Sequence, residues 1–145
     1  MNDTTLLVAH AAVTWSLCGL IWFVQLVHYP LMLEVPAAAA VAYEQAHCRR
    51  ITPLVAPLML LEAGLAAWLC LWPPAGRPLG LLLAGAVLLA IVWLSTFLVQ
   101  VPLHDQLSRG DDPGAKQRLV RSNWLRTAAW TLRAGIATAL LGCGS

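Results

Sequence analysis

Polar side chains recur at helical spacing in a chain that is otherwise apolar. Gln25, His28 and Tyr29 stand at i, i+3 and i+4, and Tyr43, His47 and Arg50 at i, i+4 and i+7. Trp93, Thr96, Gln100 and His104 step by three or four, and so do Asn123, Arg126, Trp130 and Arg133. Residues spaced this way share one face of a helix, so four segments each present a polar stripe. Three chemistries suit such a set. Neutral imidazoles at His28, His47 and His104 could ligate haem iron or a transition metal from facing helices. A cofactor-free pocket could use a histidine to take a proton from an acidic C–H or O–H while Arg126 holds the developing anion. Or His28 and His104 simply cap helix ends and bond the arginines.

The arginines extend the second reading. Planar guanidinium forks suit carboxylates, phenolates and phosphates, and Arg50, Arg121, Arg126 and Arg133 are candidates for lining one cavity. Trp93, Trp124 and Trp130 would give flat apolar walls for an aromatic ligand. Tryptophan also collects in the interfacial belts of membrane proteins. That suits Trp72 and Trp124, whereas Trp93 and Trp130 fall too deep.

The elements that carry these stripes follow from composition. Of 145 residues, 59% are apolar and only 11% charged, against roughly 25% charged in an ordinary soluble domain. A mean hydropathy of +0.71 leaves too little polar surface for a water-soluble ball, and the formal charge of +2 argues against nucleic acid as a partner. The partner is a lipid bilayer. Crossing it takes about 20 apolar residues, and four stretches qualify: Leu6 to Val27, Ile51 to Trp72, Leu79 to Val101, and Trp124 to Leu141. Pro30 and Pro36 are expected to break the first helix, leaving Ala37 to Arg50 as a short helix of its own. Pro73 to Pro78 reads as a tight turn, and Gly110 to Gly114 as a second one. The first stretch has no basic residue ahead of it and is too long for a signal peptide.

Lysine and arginine set the orientation. Arg49 and Arg50 lie in the first connection, and Arg109, Lys116, Arg118 and Arg121 in the third, against Arg77 alone in the second. The expectation is an integral protein of the bacterial inner membrane with both termini outside the cytoplasm. Glu62 and Arg133 then fall near mid-membrane, roughly 15 Å deep at about 1.5 Å per residue. Charged residues inserted there cost roughly 2.5–3.5 kcal/mol each. Glu62 either pairs with Arg133 or serves a ligand or proton path.

Cys18, Cys48, Cys70 and Cys143 have no metal-ligand spacing, and no phosphate loop, dinucleotide fingerprint or serine nucleophile is present. The run Val101-Pro102-Leu103-His104-Asp105-Gln106-Leu107, followed by Asn123-Trp124-Leu125-Arg126-Thr127, resembles the small four-span membrane proteins of the DUF1772 type, grouped with the anthrone oxygenases. His104 stands where that group typically has asparagine. The resemblance covers the second half of the chain and implies oxygenase-like chemistry on an aromatic substrate. More weakly, the first half resembles the haem-associated membrane protoporphyrinogen oxidases, through Trp15 to Leu20 and Arg49-Arg50-Ile51-Thr52-Pro53. By that likeness His10 becomes a candidate haem ligand.

Together these observations predict an all-α, up-and-down four-helix membrane bundle forming a single domain, with a pocket open toward the cytoplasm. His104, Arg126, His28 and Asn123 are the candidate catalytic residues. His47, Gln25, Gln100, Trp130, Arg133 and Glu62 are the candidates for holding a ligand or cofactor, with Glu62 at the pocket floor. The cofactor stays open among none, haem and a transition metal, and oligomeric state stays open too. The competing expectation is a non-catalytic accessory or ligand-binding module whose polar cluster fixes helix packing.

Overall fold

Asn2 starts the first helix by accepting the Thr5 amide at 2.8 Å, the usual service of an N-cap side chain. In the computed structural model, which describes residues 2–143, four helical rods follow in order: α1 (Asp3–Leu33), α2 (Ala37–Leu71), α3 (Leu79–Leu107) and α4 (Pro113–Gly142). There is no strand among the described residues. The connection after α2 carries Gly76 at φ 73°, a left-handed conformation that glycine adopts without a Cβ clash. Asp112 caps α4 through the Ala115 amide at 3.0 Å, with Pro113 in the first turn, the preferred arrangement for that position.

The short connections make successive helices antiparallel, and they pack in the ring order α1–α2–α3–α4. Helix α4 lies closest to α1 and α3, while α2 sits further out and its backbone never approaches that of α4. On the outer seam, Trp15 and Trp22 of α1 each donate an indole N–H at 3.0 Å, to Thr138 and Thr131 of α4 respectively. Their matched seven-residue steps zip the two helices together. Three apolar clusters run along the interior: Leu6, Leu7, Leu69, Leu82 and Leu140 at one end, Leu17, Ile21, Met59, Val92 and Trp130 in the middle, and Met32, Leu107 and Leu119 at the other end.

Pro36 stands in the break between α1 and α2, as expected, but Pro30 and Pro102 do not act as breakers. In each case a π-helical turn precedes the proline, Val24–His28 in α1 and Thr96–Gln100 in α3. Proline has no N–H to give the carbonyl four residues back. The residue before it bonds one position further back instead, Tyr29 to Val24 and Val101 to Thr96. The widened turn accommodates the ring and lets the rod continue. Ala37 to Arg50 is likewise not a separate helix, because α2 runs through Pro53 and Pro57 without interruption.

Three of the four rods, α1, α2 and α3, are long and apolar enough to cross a membrane. The expected fourth span does not qualify by composition. Its stretch from Trp124 to Leu141 contains Arg126 and Arg133, and both are buried against the other helices while Leu125 and Leu132 face outward. The exterior is apolar elsewhere too, with Leu60, Leu71, Val87, Leu94 and Leu98 all exposed.

Candidate active-site cavity

At the end of the bundle where α1 and α3 carry their π-helical turns, the polar stripes meet. His104 of α3 is bound to Glu44 of α2, Nδ1 to Oε1 at 2.5 Å. Glu44 is buried and its Oε1 also accepts the Cys48 thiol at 3.2 Å. A carboxylate on Nδ1 fixes the imidazole with its proton there and leaves Nε2 as the lone-pair nitrogen. Among the described residues that Nε2 meets only the hydroxyl of Tyr29, at 3.5 Å, which also reaches Gln100 Oε1 at 3.4 Å. His28, His47 and His104 form a stack, with centroids 4.2 Å apart for the first pair and 5.5 Å for the second. Tyr43 closes the far end of the stack through its hydroxyl, 3.4 Å from His28 Nδ1.

Below this cluster lies a cavity of about 370 Å3. All four helices line it: Tyr29 from α1, His47 and Met59 from α2, Trp93, Gln100 and His104 from α3, and Arg126 and Trp130 from α4. Its walls are otherwise mostly aliphatic, with Thr52, Thr96 and Phe97 the exceptions. Thr52, Ala56 and Leu60 of α2 and Phe97 and Val101 of α3 both line it and are exposed, so it opens sideways between those helices.

Arg126 is the unusual member. It is 8% exposed and forms no ion pair among the described residues. Its Nη1 donates to Asn123 Oδ1 at 3.1 Å, and its guanidinium sits 5.2 Å from the Trp130 ring centroid. Among the described residues its Nε meets no acceptor, and neither does the indole N–H of Trp93 on the same cavity wall. Behind Arg126, Asn123 donates to Gln25 Oε1 at 2.8 Å, and Gln25 donates to the Val120 carbonyl at 3.3 Å. Gln25 and Asn123 therefore hold the arginine in place from outside the cavity. A buried cation without a counter-ion is costly unless something pairs with it.

Arg133 is the opposite case. Its Nε bonds Glu62 Oε1 at 3.0 Å, Nη1 donates to the Gly85 carbonyl, and Nη2 lies 3.5 Å from His10 Nε2. Trp130 donates to the other Glu62 oxygen at 3.1 Å. One guanidinium thus ties all four helices together, with Glu62 at 0% exposure and Arg133 at 2%. Of the two readings of Glu62, pairing with Arg133 is what the geometry displays. Neither residue lines the cavity, so Glu62 is not its floor; that place belongs to Met59 and Trp130. His10 does not suit a haem. It faces a guanidinium, and the space beside it is about 10 Å3.

No family model, curated protein or solved structure matches this chain.

Of the residues singled out by type and spacing, His47, Gln100, His104, Arg126 and Trp130 come together on the cavity. His28 stacks behind His47, and Gln25 and Asn123 stand behind Arg126. Arg50 and Arg121 are exposed and line nothing, and Trp124 lies outside, edge-on to Trp22 at 5.8 Å. Glu44 and Cys48 were missed, although Tyr43-Glu44 and His47-Cys48 repeat at i and i+4 and put two polar pairs on neighbouring faces of α2. The four cysteines are free.

Proposed function

We propose that this protein is an integral membrane oxidoreductase, oxygenase-like, acting on an aromatic or quinone-like molecule bound in the lateral cavity. The observation that carries the reading is the buried, unpaired guanidinium of Arg126 in the same cavity as a carboxylate-bound histidine. An apolar slot with one cation and one base suits a flat, lipid-soluble substrate that becomes an anion during reaction. Its ring lies against Trp93, Phe97 and Met59. His104 Nε2 takes the proton from an acidic C–H or O–H, and the Glu44 carboxylate stabilises the imidazolium formed. Arg126 and the Trp93 N–H receive the charge that develops on the substrate oxygen. The resulting electron-rich anion is then the reductant, with dioxygen as acceptor. The likeness of the second half of the chain to the anthrone oxygenases favours the same chemistry.

Three apolar rods, an apolar exterior and a side opening toward where lipid would be all support insertion in a membrane. At about 1.5 Å per residue, the 35 residues of α2 far exceed a hydrocarbon core of about 30 Å. Helix α2 therefore extends beyond it, and its leading turns carry Glu44 and His47 at the polar edge. The charge asymmetry of the connections favours that edge being cytoplasmic, with both termini on the other side of a bacterial inner membrane.

The test is oxygen uptake by purified protein in mild detergent with anthrone or a hydroquinone. Turnover lost in both His104→Ala and Arg126→Met supports the reading. A second reading, a non-catalytic accessory or ligand-binding module, draws on the Glu62–Arg133 tie, a polar network that joins the four helices away from the cavity. Saturable binding without turnover in wild-type protein would select it.

A further inference from the structure

The polar cluster contains a second arrangement, which adds Cys48 to the Glu44–His104 pair of the proposed chemistry. Glu44, Cys48 and His104 come from two helices, and one donor atom of each lies within 4.8 Å of the other two. At present protons hold them together: Cys48 Sγ–H and His104 Nδ1–H both point at the one carboxylate oxygen. Glu44 and Cys48 stand one helical turn apart on α2, so their side chains reach the same point by backbone geometry alone. Glu44 is buried, while Cys48 and His104 are half-buried, which leaves an approach from outside.

We propose that Glu44, Cys48 and His104 form a binding site for a single divalent transition-metal ion of borderline softness, of the zinc or cobalt type. A thiolate, an imidazole and a carboxylate are the donor types that zinc takes, whereas magnesium and calcium call for oxygen alone. Three protein donors also leave a fourth position open for water. Tetrahedral bonds of about 2.0 Å to nitrogen and oxygen and 2.3 Å to sulfur put donors roughly 3.3–3.5 Å apart. The Glu44–Cys48 separation of 3.2 Å is already close to that. The Glu44–His104 pair must open by rather less than 1 Å, which a side-chain rotation supplies. The protons balance as follows. Cys48 releases its proton to solvent, His104 shifts its own from Nδ1 to Nε2, and the ion takes the two vacated positions together with the carboxylate. One proton leaves per ion bound, and the site becomes neutral.

This site shares Glu44 and His104 with the proposed activity and would compete with it, since a proton moved to Nε2 removes the base, but its test needs no substrate. The full chain in detergent is titrated with Co2+ alone, followed by absorption in the near-ultraviolet and visible. The expected result is a single saturable equivalent with a thiolate-to-cobalt charge-transfer band, displaced by Zn2+. The band disappears in Cys48→Ser, and affinity falls tenfold or more in Glu44→Gln. The melting temperature of each variant without metal shows that it still folds. His28→Ala and Cys143→Ser keep the band, since neither supplies a ligand. Absence of saturable cobalt binding by folded wild-type protein overturns the proposal. So does a band that survives Cys48→Ser, or one that vanishes in Cys143→Ser.

Discussion

Two arginines seven residues apart on α4 are nearly equally buried, yet their removal should have different consequences. Arg133→Met strands the Glu62 carboxylate, which keeps only the Trp130 N–H, and takes from the Gly85 carbonyl the donor it has beyond its helical one. Removing one partner of a buried pair costs about 3–5 kcal/mol, and at about 2–4 °C per kcal/mol for a chain near this size the melting temperature falls by roughly 6–20 °C. Arg126→Met loses one bond to Asn123, worth about 1–3 kcal/mol once Oδ1 is unpaired, and a cation–π contact of about 0.5–2 kcal/mol. Against this stands relief of an unpaired buried charge, whose desolvation amounts to several kcal/mol. The terms nearly cancel, so Arg126→Met should melt within about 4 °C of wild type. Thermal unfolding in detergent, followed by circular dichroism, reads both. If Arg126→Met melts as low as Arg133→Met, the claim that Arg126 is held ready for a ligand at the expense of stability is wrong.

Other outcomes follow from the same geometry. His104→Ala should lower turnover by about 10²–10⁴-fold, the usual range for a general base, while substrate binding stays within a few-fold; equal losses in both would make His104 a structural residue. Trp93→Phe keeps the ring but removes the unpartnered N–H, so substrate should bind roughly tenfold more weakly, for a bond of about 1–1.5 kcal/mol, with melting unchanged. For topology, in a background with Cys48, Cys70 and Cys143 replaced by serine, Arg77→Cys should react with a membrane-impermeant maleimide from the outer face and Arg109→Cys only after the cytoplasmic face is opened. Labelling in the reverse pattern would invert the orientation.

The stripes were legible because helical periodicity survives inside a bundle. Trp93, Thr96, Gln100 and His104 do share the cavity wall, and the Glu62–Arg133 pair followed from two depths counted along separate spans. The helix ends were less legible. Proline is read as a breaker, and nothing in a one-dimensional pattern says that a π-helical turn will absorb Pro30 or Pro102. The fourth rod is less legible by composition for a related reason: its arginines lower its hydropathy, but they point inward where only the packing of the other helices makes room. Glu44 escaped notice because its importance lies in a partner 60 residues away. Arg50 looked like a cavity residue by spacing alone, yet α2 turns it outward, where it bonds its own Ala46 carbonyl at 3.4 Å.

The central claim is that the lateral cavity takes an aromatic anion through Arg126. Its most direct test is the binding of a hydroxylated anthraquinone, followed by quenching of tryptophan fluorescence, since Trp93 and Trp130 both line the cavity. Wild-type protein should bind one equivalent saturably. Arg126→Met should bind about 10- to 100-fold more weakly, which corresponds to a charge-assisted bond of about 1.5–3 kcal/mol. Saturable binding of the same strength in Arg126→Met, or none in the wild type, would contradict the account.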